Sequence, residues 1–247
     1  MWFSLHDLKE FLPSLMAGAA VTINITVISI VLAIAIGIFV ALIRTSNIPV
    51  AGSLSRLYVD VTRGTPLLLQ IFYIYYVLPL AGIELSAYTA GILALSLNYG
   101  AYLSEVFRSG IAAIPAGQRE AAWSLGLSPK STMARIILPQ AIRIVIPAVG
   151  NYFIALFKDS ALVSVISLTE LMRAGQLLAA STFQHFEIYT LVAIIYLCIS
   201  YPASWFVQWV ERAFKVGAPR RSFLFFKTGK TTTPADGGQR VTLEKRR

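Results

Sequence analysis

The sequence predicts an all-α integral membrane protein of five transmembrane helices, with the N-terminus outside and the C-terminus cytoplasmic. Three observations carry that reading. Of the 247 residues, 56% are hydrophobic and only 13% are charged, where a soluble domain carries about 25% charged residues. The deficit is concentrated in uncharged runs at 11–43, 65–83, 85–104, 144–157 and 188–210. A helix crosses the hydrocarbon core with about 20 apolar residues, so the spans are expected at roughly 15–43, 57–80, 86–107, 144–170 and 188–211. The third observation is the placement of bases. Of the 21 Lys and Arg, this topology leaves only Lys9 and Arg173 outside and Lys158 within a span. The rest fall in cytoplasmic segments, as the positive-inside bias requires. That bias also accounts for the net charge of +9 without nucleic-acid binding.

Residues 1–14 are expected to form a short interfacial segment, with Trp2 and Phe3 at headgroup level and Pro13 leading into the bilayer. The first apolar run is too long for a secretory signal, and no basic segment or small-residue cleavage site frames it. Thr22, Asn24 and Thr26 lie inside the first span; polar groups there need partners from another helix. Arg63-Gly64-Thr65-Pro66 interrupts the start of the second span. A break at membrane depth exposes backbone groups that only protein or a wet cavity can satisfy. Phe72, Tyr73, Tyr75 and Tyr76 follow, as an interfacial belt or as helix packing.

In the third span Asn98 and Glu105 are two turns apart and share a face. Glu105 is also placed to pair with Arg108, and Asn98 to make an interhelical hydrogen bond. The fourth span carries Lys158 and Asp159. A charge at that depth costs at least ~2.5 kcal/mol. Adjacent side chains point about 100° apart on a helix, so each must face protein or a cavity. Two readings of this charged site stand: contact of Asp159 with a cationic group of a substrate, or a structural ion pair with Glu105 or a partner subunit. For Lys158 the structural reading is favoured. Cys198 is the single cysteine and His6 and His185 are far apart, so neither an internal disulfide nor a metal site is expected. Residues 214–247 turn to Gly, Pro, Thr, Lys and Arg without apolar period, which predicts a disordered basic tail. Its Thr228-Gly229-Lys230-Thr231 is no phosphate loop, because Leu224 stands where the first glycine belongs and no strand precedes it.

The cytoplasmic loop at 108–143 is the most polar long segment between spans. It reads as two short helices: Pro115 opens the first, Gly126 sits where a left-handed cap is wanted, and Ser128 with Pro129 starts the second. Small side chains at Ala121 and Ala122 suit close approach of a partner, and Trp123 and Leu127 are expected to pack the hairpin down.

The string Glu120-Ala121-Ala122, three residues, Gly126, nine residues, Ile136-Ile137-Leu138-Pro139 resembles the EAA loop of ABC importer permeases. Three further segments extend the resemblance to the polar amino acid permeases: 63–70 (R-G-T-P-L-L-L-Q), 98–108 with Asn98, Tyr99, Gly100, Glu105 and Arg108, and 157–164 (F-K-D-S-A-L-V-S). Ala161 departs from the family's small hydroxyl residue. The similarity spans residues 15–213 and leaves the tail unmatched.

The resemblance implies a type I transmembrane domain and a permease subunit for polar amino acids in the bacterial inner membrane. It implies docking of a cytosolic ATPase dimer through Glu120, Ala121, Ala122 and Gly126. It implies a substrate path that includes Asp159, Ser160, Glu105, Asn98, Thr65 and Leu67. The implied partners are the ATPase, which uses ATP and Mg, a second permease copy or paralogue, and an external solute-binding protein; no catalytic residue and no cofactor is expected on this chain. The rivals are an ion-coupled secondary carrier, a membrane-embedded enzyme and a scaffold subunit. A carrier would show internal repeats. An enzyme would need a nucleophile and base in reach of each other, and Lys158–Asp159–Ser160 is poor geometry for that.

Overall fold

The computed structural model describes residues 5–45 and 49–214. The expectations at 1–4 and for the basic tail lie outside the described residues. Every element among the described residues is helical: α1 (Leu5–Thr45), α2 (Pro49–Gly64), α3 (Leu67–Ala81), α4 (Ala87–Ala112), α5 (Ala116–Ser124), α6 (Pro129–Ile166), α7 (Leu171–Thr182) and α8 (His185–Phe214).

α1 runs unbroken for 41 residues through Pro13. Residues 5–14 are therefore helically continuous with the first expected span. Phe11, Leu15 and Ala19 pack against Leu171, Ala174 and Ile188, and that contact extends the helix beyond the bilayer-length stretch. Further along, α1 lies against α4 over much of its length. Gly100 lets the two backbones close up, since a Cβ there would run into Ile36.

The second expected span is two helices. α2 and α3 meet at 110° across Thr65 and Pro66, where proline lacks an N–H and cannot continue a ladder. α3 is itself irregular, with a π-turn at Tyr73–Val77 and a 3-10 turn at Leu78–Ala81. Three helices are long and apolar enough to cross a membrane as single pieces: Lys9–Thr45, Pro129–Ile166 and His185–Phe214; the bent pair makes a fourth candidate. α4 covers the third expected span as a 26-residue helix. Its inward Ser96, Asn98 and Ser104 are buried and polar, so packing within protein stabilises it more than hydropathy does.

The fourth span also differs from expectation. The second loop helix is not a separate short helix. Pro129–Thr132 passes through a π-turn at Met133–Ile137 straight into Leu138–Asp159, and a 3-10 turn carries the chain to Ile166. Pro139, which has no N–H to give, falls just after the π-turn, and the chain runs on as helix across both. Between α6 and α8 the chain inserts α7, a helix the sequence reading did not contain. The expected partners of the first span's polar residues are partly found. Thr22 meets Glu170 and the Leu171 N–H, and Asn24 meets Tyr88. Thr26 needs no other helix, because it donates to the Thr22 carbonyl at 2.7 Å.

Candidate functional site

The α2–α3 break opens on a polar cavity of about 450 Å³. The break contributes Arg63, Thr65 and Leu67; α4 contributes Asn98, Tyr99 and Tyr102; α6 contributes Tyr152 and Asp159. Tyr152 and Asp159 are seven residues apart, two turns, so one face of α6 carries both. Asn98, Tyr99 and Tyr102 come to one wall by the same helical spacing.

Asp159 accepts a hydrogen bond from the Tyr99 hydroxyl at 2.7 Å. Among the described residues it has no ion-pair partner, and Glu105 pairs with Arg44 and Arg108, not with Lys158. Three tyrosines form an aromatic box. Tyr152 stands edge-on to Tyr99 at 6.1 Å and tilted to Tyr102 at 5.8 Å. The Arg63 guanidinium lies 5.4 Å over the Tyr102 ring, a cation–π contact that leaves its N–H fork available. The cavity thus has one carboxylate and one guanidinium among its walls, with phenol rings between.

Gln70 supports the break. Its amide nitrogen reaches the Thr62 carbonyl at 2.7 Å, the Thr65 hydroxyl at 2.8 Å and the Thr65 carbonyl at 3.2 Å. Its oxygen accepts from Asn98 at 3.1 Å. Carbonyls orphaned by the end of α2 are in this way satisfied by protein, as membrane depth demands. The Thr65 hydroxyl donates to the Val61 carbonyl, so Thr65 meets the cavity with its hydrogen-bonding partly spent.

Of the six path residues expected from sequence, four come together here: Asp159, Asn98, Thr65 and Leu67. Two do not. Ser160 is fully buried and donates to the Phe157 carbonyl. Glu105 is bound by Arg44, and by Arg108 at 2.8 Å, away from this cavity; Arg44 was the partner that sequence spacing could not supply. Lys158 is exposed and outside the cavity lining. The cavity residues that sequence reasoning did not assign to the path include Arg63, Tyr99, Tyr102 and Tyr152. The two-turn spacing of Tyr152 from Asp159 was the available signal for the last.

The caps of the loop hairpin are built as its sequence predicts. The Leu127 N–H bonds to the Ala122 carbonyl and the Gly126 N–H to the Trp123 carbonyl, the paired bonds of a Schellman cap. Gly126 has φ +75, which glycine adopts without strain. Ser128 accepts from the Ser131 N–H at 3.3 Å, with Pro129 in the first turn. Glu120 and Ala121 are exposed, but Ala122 is buried. Ala122 therefore serves close packing inside the hairpin and offers no surface to a partner. Trp123 and Leu125 are 55% and 82% exposed, so Trp123 does not pin the hairpin down; Leu127 is half-buried.

The described residues thus form a helical domain with a bent helix pair, a polar cavity at the bend and a capped loop helix. Residues 33–216 match the family of binding-protein-dependent transport system inner membrane components, and the chain belongs to that family. It is 38% identical over 212 residues to the probable amino-acid ABC transporter permease protein y4tG of Sinorhizobium fredii, covering 86% of this chain and 90% of that one. It is 35% identical to the glutamine transport system permease protein GlnP of Escherichia coli, over 87% of this chain and all of GlnP. The L-cystine transport system permease protein TcyB of Bacillus subtilis is 38% identical, with 83% and 88% covered. Among solved structures, a crystal structure of an amino acid ABC transporter with histidines superposes with a TM-score of 0.81 at 36% identity, covering 86% of this chain and all of that one.

Proposed function

We propose that this chain is the permease subunit of an ATP-driven importer for polar amino acids in the bacterial inner membrane. The single observation that carries the reading is the cavity at the helix break, with Asp159 and Arg63 among its walls. An amino acid carries an ammonium and a carboxylate; a carboxylate on one element and a guanidinium on another are the complementary pair. The names of three relatives support the class of cargo: they describe amino-acid, glutamine and cystine transport.

The five spans are α1, the bent α2–α3 pair, α4, α6 and α8, with the N-terminus outside and the α5 hairpin in the cytosol. A cytosolic ATPase dimer, which binds ATP and Mg, docks on the hairpin around Glu120, Ala121 and the Gly126 turn. Exposed Trp123 and Leu125 widen that surface beyond the residues the family motif names. A second permease copy or paralogue completes the path, and an external solute-binding protein delivers substrate. ATP-driven closure moves the hairpin, and the cavity alternates its access between the two sides.

The test uses proteoliposomes holding the permease with its ATPase. Asp159→Asn removes the charge and keeps the Tyr99 contact's acceptor. A charged hydrogen bond is worth about 1.5–3 kcal/mol, so uptake should fall roughly 10- to 100-fold while the complex still assembles. Undiminished uptake would refute the cavity's role. Uptake by the permease alone, with no ATPase, would support the ion-coupled carrier instead.

A further inference from the structure

A second cleft, of about 540 Å³, lies at the opposite kind of surface: where the last residues of α1, the end of α4 and the start of α5 meet. Its cationic residues are Arg44, Arg108 and Arg119, and its apolar wall includes Ile111, Ile114 and Met133; no acidic residue lines it. Glu105 sits behind and takes up Arg44 and Arg108 together. One carboxylate against two guanidiniums leaves one positive charge, and Arg119 adds another without an ion-pair partner among the described residues.

The donors are not exhausted by that carboxylate. Arg108 spends its Nε and one Nη on Glu105 Oε2, and Arg44 spends one Nη on Oε1. Each guanidinium carries five N–H groups, so both keep N–H free for a second anion. Arg forks match the oxygens of a phosphate in the bidentate way a lysine cannot. The level of the cleft matters as much as its charge. α1 is uncharged from residue 11 to 43 and ends at Arg44 and Thr45, so the cleft lies where the apolar stretch gives way to headgroups. A wall of Ile and Met beside the arginines fits a phosphate that arrives attached to acyl chains.

We infer that this cleft binds a phosphate anion, the headgroup of an anionic phospholipid of the cytoplasmic leaflet. Basic pockets between helices on that side hold such headgroups. The inference rests on the cytoplasmic placement of α5 under the proposed function. A lipid held here joins α1 and α4 to the first turn of the loop helix, and makes assembly of the transporter dependent on anionic lipid.

The experiment takes the permease–ATPase complex reconstituted in vesicles of equimolar phosphatidylglycerol and phosphatidylcholine, re-extracts it, and counts bound lipid by native mass spectrometry. Phosphatidylglycerol should be retained in preference. Arg119→Gln should lower its retention roughly fivefold, from about one surface charge. Ala116→Glu, which sets a carboxylate on the cleft wall at an exposed helix start, should lower it at least as far. A parallel arm adds inorganic phosphate to complex in phosphatidylcholine alone. A phosphate-dependent rise in unfolding temperature that Arg119→Gln abolishes would keep the anion site and assign it to free phosphate. Equal retention of both lipids with no phosphate effect overturns the inference. So does release of the ATPase by Arg119→Gln with lipid unchanged, which would make the cleft part of the docking surface. Retention is read without transport, so substrate flux by the permease alone would sink the functional reading and leave this result standing.

Discussion

Replacing Glu170 tests how α1, α7 and α8 are held together. Its side chain is fully buried and caps α7, accepting from the Arg173 N–H at 2.7 Å and the Met172 N–H at 2.9 Å. Tyr196 on α8 donates to it at 3.1 Å. Thr22 on α1 is within 3.3 Å, but its one proton is shared with the Gly18 carbonyl at 3.1 Å. Three donors are thus firmly committed and one partly. Glu170→Ala deletes the cap, worth about 0.5–2 kcal/mol, and strands buried N–H and O–H groups at about 1–3 kcal/mol each. Part of this is relieved by relaxation, leaving a loss of about 3–5 kcal/mol. Glu170→Gln is milder. Its amide oxygen, set where Oε2 stands, keeps both the Met172 N–H and the Tyr196 hydroxyl, and only the Arg173 N–H loses its acceptor, so the loss is about 1 kcal/mol. At about 2–4 °C per kcal/mol for a chain of this size, the unfolding temperature should drop by about 6–20 °C for Ala and only about 2–4 °C for Gln. Thermal unfolding of purified protein in detergent, with hydrogen exchange at 171–174, reads both. If Gln is as damaging as Ala, or Ala unfolds with the wild type, the capping account is wrong.

Gly126→Val forces an L side chain into the left-handed region at about 1–2 kcal/mol, with no atom within 4 Å for the new Cβ to strike. Insertion should survive and ATPase co-purification should be lost, whereas Gly126→Asn should retain it; a Val variant that binds as well as wild type would refute the turn's role. Gly150→Ala should cost about 1–3 kcal/mol, because its Cβ runs into Val207 of α8, and Val207→Ala should restore the unfolding temperature. Gln70→Glu turns the donor at the break into an acceptor facing the oxygens of Thr62 and Thr65. It should lower stability by about 1–3 kcal/mol and do so more than Gln70→Met, measured by the same thermal unfolding.

Local grammar was the most legible part of the sequence. Gly126, Ser128 and Pro129 announce a cap and a start, and the structure places all three as their chemistry dictates. The interruption at Gly64-Thr65-Pro66 was equally plain, but its 110° angle is set by packing against α4 and by Gln70, which local sequence does not express. Glu170 was missed because helix starts are sought at Ser, Thr, Asp and Asn, whose short side chains reach the N–H of the next turn; a longer glutamate does the same here only because α1 and α8 enclose it. Arg63 read as one more cytoplasmic base. Only the bend turns it onto Tyr102 and into the company of Asp159. Trp123 was expected inside by size alone, and its exposure follows from small Ala122 taking the inward position.

The continuity of α6 has a mechanical consequence. From Pro129 to Asp159 is 31 residues, about 46 Å of helix at 1.5 Å per residue. The Gly126 turn and the cavity carboxylate are therefore the two ends of one rod. A tilt of about 5° pivoted at the loop end carries Asp159 sideways by about 4 Å, more than the length of a hydrogen bond. Small rotations at the loop end are magnified at the cavity end, and the hydroxyl of Tyr99, carried on a different helix, is the contact that such a swing would make or break first.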